Sequence, residues 1–260
     1  MIINRHKERL EFINMRYKEL TFEGRNAVIE AFRSGKTIDK LFILDGCQDG
    51  PIKSIVREAK KTSTIINYVD KERLDRLANT GHHQGVVAIG AAYEYAEVED
   101  ILEAARSKGE APFIFVLDEI EDPHNLGAII RTANLAGAHG VIIPKRRAVG
   151  LTATVAKTSA GAINYTPVAK VTNIANTIEA LKKEGLWFVC ADMGGETMYN
   201  LDLKGPIGLV IGNEGNGVSR LVKEKCDFVA SIPMKGDIDS LNASVAAGVM
   251  AFEIVRQRMV

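Results

Sequence analysis

Aromatic residues are scarce in this chain: they make up 6% of its 260 residues, with a single tryptophan. A surface that grips single-stranded bases by stacking on many rings is therefore not evident. Charge of one sign is missing too, since 33 lysines and arginines balance 33 aspartates and glutamates. A net charge of zero gives no global attraction to nucleic acid, so any such binding must come from local patches. Cysteine is limited to Cys47, Cys190 and Cys226, far apart and with no CxxC pair. That excludes a disulfide framework and a zinc knuckle, and fits reduced thiols in a cytoplasm. No apolar run reaches the length that spans a bilayer. Residues 1–20 alternate charged and apolar side chains and lack the continuous apolar stretch of a secretory signal.

What is present is an ordinary globular composition, 46% hydrophobic and 25% charged, with length enough for one large core or two modest ones. Composition separates a basic-leaning, helix-patterned extension (1–20), a first α/β unit (21–91), an acidic linker with a short helix (92–110) and a longer region (111–260). In the first unit the pattern predicts helices over 22–33, 52–60 and 71–78, and strands over 40–44, 64–69 and 86–91. In the long region it predicts strands over 113–117, 140–143, 187–191, 207–211 and 228–232. Helices are expected over 125–136, 174–183 and 241–258. Continuous apolar strands alternating with helices imply a parallel sheet covered on both faces. Ligands of such sheets bind beyond the carboxyl ends of the strands.

Two suggestive motifs fail. Ser34-Gly35-Lys36-Thr37 resembles the end of a phosphate-binding loop, but the glycine required five positions before Gly35 is Glu30. Gly212-Asn213-Glu214-Gly215-Asn216-Gly217 follows a strand, yet Glu214 occupies the third position of GxGxxG, which disfavours a nicotinamide-dinucleotide site. His82 and His83 are adjacent, so on a strand they would point to opposite faces and could not share a metal; a polar turn is the better reading.

Three segments at strand exits carry the chemistry. In Asp122-Pro123-His124-Asn125-Leu126-Gly127-Ala128-Ile129-Ile130-Arg131-Thr132-Ala133, Asn125 is a candidate helix cap. Arg131 follows it by about 1.7 turns. In Leu209 through Ser219 a buried strand runs into glycines, which permit close backbone approach to a ligand such as adenine. Glu214 within that loop can bond a ribose or orient a neighbour. In Ser231-Ile232-Pro233-Met234 and Asp239-Ser240-Leu241-Asn242-Ala243-Ser244-Val245, Ser240 is a candidate cap of the last helix. Ala243, Ala246, Ala247 and Gly248 make a small-residue surface for a close-packed helix. Taken singly, each segment also reads as a capped helix or a tight turn.

Together, in order, these three runs resemble the motifs of the SpoU family of RNA ribose 2′-O-methyltransferases, within the SPOUT superfamily. Phe22-Glu23-Gly24-Arg25-Asn26-Ala27-Val28 and His83-Gln84-Gly85-Val86 are similar to that family's N-terminal substrate-binding domain. Lys157-Thr158-Ser159-Ala160-Gly161-Ala162 is similar to its connecting segment. Asn164 departs from the family, where glutamate is frequent. The resemblance covers nearly everything beyond residue 20 and is strongest to the subgroup that methylates a guanosine of 23S ribosomal RNA.

The resemblance implies a C-terminal parallel-sheet domain tied in a deep trefoil knot, with a smaller N-terminal α/β RNA-binding domain. It also implies a cytoplasmic homodimer with no membrane association and with its site near the interface. S-adenosylmethionine would be held largely by backbone at Gly212, Ile232 and Leu241, with Ile211 and Ser240 nearby. Arg131, Asn125, Glu214 and Asn242 match the polar residues assigned to catalysis or its support, and no metal is required. A guanidinium is a poor base. Arg131 is therefore expected to place the target phosphate and stabilise the developing alkoxide, with the proton passing to phosphate, water or Glu214. Arg5, Arg9, Arg16, Arg25, Arg33 and Lys36 are candidate RNA contacts. Two alternatives stay open: a transfer-RNA ribose methyltransferase, and a non-catalytic RNA-binding protein of ribosome assembly.

Overall fold

A computed structural model describes residues 20–237 and 240–259. The expected helical extension and its Arg5, Arg9 and Arg16 lie outside the described residues. The chain divides into two units, one running to Glu94 and including Gly150–Ala153, the other formed by Tyr95–Val149 and Thr154 onward.

The first unit holds strands β1 (Leu20–Glu23), β2 (Ile38–Leu44), β3 (Ile65–Val69) and β4 (Val86–Gly90) in the order β1-β4-β2-β3. β2 and β3 are parallel, while β4 runs antiparallel to β1 and β2. Helices α1 (Arg25–Arg33), α2 (Gly50–Lys61) and α3 (Lys71–Leu77) accompany them. α2 shows why such a segment is helical. Asp49 accepts the Ile52 N–H at 3.2 Å as N-cap, and Pro51 sits in the first turn. Ile52, Ile55 and Ala59 then fall on one buried face. The helix expected over 22–33 begins only at Arg25. Phe22 and Glu23 are instead strand, paired with Ala88 and Val87, because ladder pairing outweighs a helical pattern two residues long.

The second unit is a six-stranded, wholly parallel sheet. Its strands are β5 (Phe113–Leu117), β6 (Gly140–Pro144), β7 (Val168–Val171), β8 (Trp187–Thr197), β9 (Ile207–Ile211) and β10 (Phe228–Ser231), in the order β10-β8-β9-β5-β6-β7. Every residue of β5, β6 and β9 is buried, as expected of strands covered on both faces. The helices are α4 (Val98–Lys108), α5 (Pro123–Leu135), α6 (Ala153–Thr158), α7 (Ile174–Lys183), α8 (Arg220–Lys225) and α9 (Ala243–Arg258).

Two expectations need correction here. The short helix expected in the acidic linker is present as α4, but it is no tether: its Ile101 and Leu102 pack into one apolar cluster with Ile114, Ile142 and Ile178. Its carboxylates face outward, and Asp100 accepts the Glu97 N–H at 2.8 Å at the helix start. β8 does not end at 191 but continues to Thr197. Its pairing with β10 jumps from Cys190↔Val229 to Glu196↔Ala230. The five residues between, 191–195, form a bulge at the strand exit.

Candidate functional site

The exits of β5, β9, β8 and β10 supply the site. β5 leads into α5, whose N-cap is Asp122, accepting the His124 N–H at 2.8 Å. Asn125 is therefore not the cap. It lies inside the first turn, 6% exposed, and its Nδ2 donates to Glu214 Oε1 at 2.7 Å. The last helix is capped by Asn242, not Ser240. Asn242 Oδ1 accepts the Ser244 N–H at 2.9 Å and the Ser244 hydroxyl at 2.6 Å, which explains the serine two residues on. Asn242 Nδ2 donates to Asn125 Oδ1 at 3.1 Å and also to Glu214 Oε1. The Ala243 N–H points to the same Glu214 oxygen at 3.4 Å. Three segments separated by up to 117 positions thus meet at one carboxylate.

The loop after β9 is closed on itself. Asn213 and Gly217 exchange backbone hydrogen bonds of 3.0 and 2.8 Å, and Asn213 Oδ1 accepts the Gly215 N–H at 2.8 Å. A Cβ on Gly212 would stand 2.2 Å from the Gly217 carbonyl carbon, so residue 212 must be glycine for the loop to close. Side chains tie the loop to β5: Asn213 Nδ2 donates to the Glu119 carbonyl at 3.0 Å, and Asp118 accepts the Ser219 N–H at 2.8 Å.

Beside this loop lies a cleft of about 690 Å³, lined by residues from β8, the glycine loop, β10 and the start of α9. Ile211, Gly212, Ile232, Ser240 and Leu241, the five candidates for holding the methyl donor, all line it, as does Glu214. The volume is in the range of small-molecule sites. The wall combines apolar Ile211, Ile232, Met234 and Leu241 with exposed backbone and one further carboxylate, Asp192. That donor set fits an adenosyl group: apolar surface for the base and thioether, backbone and carboxylate for polar edges.

Arg131 is placed differently. It is exposed on α5, outside the cleft lining, and makes no hydrogen bond or ion pair among the described residues. One turn further, Leu135 is exposed on the same side of α5. α9, which packs against α5, carries exposed Val245, Val249 and Phe252 at helical spacing. The small residues predicted to admit a close helix serve this packing, with Ala243 and Ala247 buried and Gly248 facing Thr132.

The sequence reading missed residues 191–194, which also line the cleft. Their signal was an apolar strand interrupted by Asp192 and followed by Gly194-Gly195. A Cβ on Gly195 would lie 2.3 Å from the Val229 carbonyl oxygen. In the first unit, Arg25 pairs with Asp49 at 2.6 Å and donates from Nε to the Gln84 carbonyl at 3.2 Å, bringing the two N-terminal motifs together. Buried His83 accepts the Gly85 N–H and bonds Asp75, each at 3.0 Å. Among the described residues no helix is long and apolar enough to cross a membrane.

Residues 112–252 match the SpoU rRNA methylase family, and residues 22–96 match the RNA 2′-O ribose methyltransferase substrate-binding domain. YacO of Bacillus subtilis, described as a TrmH family tRNA/rRNA methyltransferase, is 53% identical over 236 residues, covering 90% of this chain and 94% of its own. An AdoMet-bound rRNA methyltransferase from Sinorhizobium meliloti aligns with a TM-score of 0.57 at 25% identity, over 92% of this chain and 87% of that one. The TrmH/SpoU tRNA modifying enzyme of A. aeolicus aligns with a TM-score of 0.53 at 28% identity, over 58% of this chain and 77% of that one.

Proposed function

The chain belongs to the SpoU family of S-adenosylmethionine-dependent RNA methyltransferases, and from that premise we propose that it methylates a ribose 2′-hydroxyl, on a guanosine of 23S ribosomal RNA. One observation carries the ribose reading. The Asn125 and Asn242 amides and the Ala243 N–H converge on a single oxygen of Glu214 at the rim of a glycine-walled cleft, which is an arrangement for fixing a nucleophile rather than only for holding a cofactor. The choice of ribosomal RNA is supported by the N-terminal unit. The rRNA enzyme of S. meliloti aligns along nearly the whole chain, whereas the A. aeolicus tRNA enzyme aligns over little more than half of it. The same reading includes a knotted C-terminal domain and a cytoplasmic location.

S-adenosylmethionine, when bound, supplies an electrophilic methyl group on a sulfonium sulfur. The protein's part is to align the ribose oxygen and to manage its proton. Both ends of the Asn125 amide are engaged, so Asn125 acts as a positioning residue for Glu214 instead of touching the hydroxyl. Glu214 Oε1 is filled by donors, leaving Oε2 with no partner among the described residues and able to take the proton. Arg131 supplies positive charge for the target phosphate and the developing alkoxide. The exposed Leu135, Val245, Val249 and Phe252 are best explained as the face of a homodimer. That face carries Arg131 as well, so dimerisation would bring the arginine to the interface.

The test is a map of 2′-O-methylation across ribosomal and transfer RNA in cells with the protein, without it, and with Arg131→Ala. A single ribosomal guanosine should lose its methyl group in the second and third cases. An unchanged map would overturn the enzyme reading, and a change confined to transfer RNA would replace its substrate.

A further inference from the structure

Among the side chains lining the cleft, Asp192 is the carboxylate that the Glu214 cluster does not use. Ala191 pairs with Ile211 across the adjacent parallel strands β8 and β9, which puts Asp192 level with Gly212 at the root of the glycine loop. The bulge at 191–195 lifts this residue out of the regular ladder. Its carboxylate oxygens lie 3.8 and 3.9 Å from where a Cβ on Gly217 would stand, so the group lies against the loop in the cleft wall. Lys223 Nζ donates to one oxygen, Oδ2, at 2.8 Å. Asp192 in turn raises the pKa of that ammonium above its ordinary value. The side chain is 22% exposed, which leaves it oriented yet open to a ligand.

A nucleoside sugar offers two adjacent hydroxyl donors, and an ionised carboxylate is an acceptor with room for both. In dinucleotide-binding parallel sheets an acidic residue about 20 positions after the glycine turn bonds the nucleotide ribose. Here the chain order is reversed, but Asp192 likewise lies at the end of the strand neighbouring the one that carries the glycine loop. We propose that Asp192, oriented by Lys223, is a binding residue for the ribose diol of the methyl donor. This rests on the donor occupying the glycine-walled cleft, and the test separates the two claims.

Calorimetry with S-adenosylhomocysteine establishes cofactor binding to the full-length wild-type chain. The same titration with analogues lacking the 2′- or the 3′-hydroxyl needs no variant at all. At least one of them should bind about tenfold to a hundredfold more weakly, the loss expected for a hydrogen bond to a charged group. Asp192→Asn, of equal size, should bind S-adenosylhomocysteine more weakly by a similar factor and no longer distinguish it from that analogue. Its melting temperature, measured alongside, shows whether the fold is intact. Wild-type affinity indifferent to both hydroxyls would overturn the proposal, as would an Asp192→Asn protein that discriminates as the wild type does. If the wild type bound none of the compounds, the placement of the donor in the cleft would fall first and the role of Asp192 with it.

Discussion

Removing the Glu214 carboxylate should unfold little but uncouple the three segments that meet on it. Glu214→Ala takes the acceptor from the Asn125 amide, the Asn242 amide and the Ala243 N–H. Asn242 is exposed and can turn its donor to water. Asn125 cannot, because it is 6% exposed within the first turn of α5. An orphaned buried donor costs about 1–3 kcal/mol, and Glu214, itself exposed, adds no burial of its own. A loss of about 2 kcal/mol lowers the melting temperature of a domain of this size by roughly 4–8 °C. Glu214→Gln keeps an acceptor oxygen and should lose less than half as much. If Oε2 takes the proton, however, Glu214→Gln should still stop methyl transfer, read as radioactive methyl incorporated into RNA. An alanine variant that melts like the wild type would refute the claim that Glu214 holds Asn125. A glutamine variant with normal turnover would remove the carboxylate from the proton's path.

Gly212→Ala places a methyl group 2.2 Å from the Gly217 carbonyl carbon. The loop must open at a cost of about 1–3 kcal/mol, and titration should show at least a tenfold loss of affinity for S-adenosylmethionine; unchanged affinity would mean that the closed loop does not shape the cleft. Phe252→Asp puts a charge on a 49% exposed position of the proposed dimer face. Burial of the exposed half of one phenylalanine per copy is worth roughly 1.5–3 kcal/mol in total, about tenfold to a hundredfold in the dimer constant. Sedimentation should show the variant monomeric, and an unaffected dimer would place the interface elsewhere. Burial lowers the pKa of His139 below its ordinary value, and its Nδ1 accepts the Phe113 N–H at 3.0 Å, so the folded state holds the neutral ring. The unfolded chain then binds the proton first, and stability present above about pH 6.5 falls as the pH drops through that value. Denaturation at pH 7.5 and 5.5 should show this loss, and His139→Gln should reduce it; an equal slope in both proteins would acquit His139.

What the sequence could and could not reveal divides along a physical line. The apolar runs at 113–117 and 207–211 were legible because burial on both faces leaves no polar position to confuse the period. In the 92–110 segment the short helix is legible but its place in the core is not, because its carboxylates outnumber the side chains that matter: Ile101, Leu102 and Ala105 form the inner face, and only packing against the sheet distinguishes a core-covering helix from a tether. The apolar pattern of β8 stops at 191, short of the strand's end at Thr197, because Asp192 and the following glycines break it at the place where the strand serves the cleft. The caps fail for a more general reason. Asp122 and Asn125 are both good cap residues, as are Ser240 and Asn242, and local chemistry does not choose between members of either pair. In the first pair the choice is made by Glu214, 89 positions from Asn125, which turns a residue suited to capping into a buried link. In the second, the residue that does cap also donates to that same carboxylate. Family motifs could mark Asn125 as important without revealing that both ends of its amide are occupied. That occupancy is what moves it from a helix cap to support of Glu214, and it follows from contacts between segments that sequence order keeps far apart.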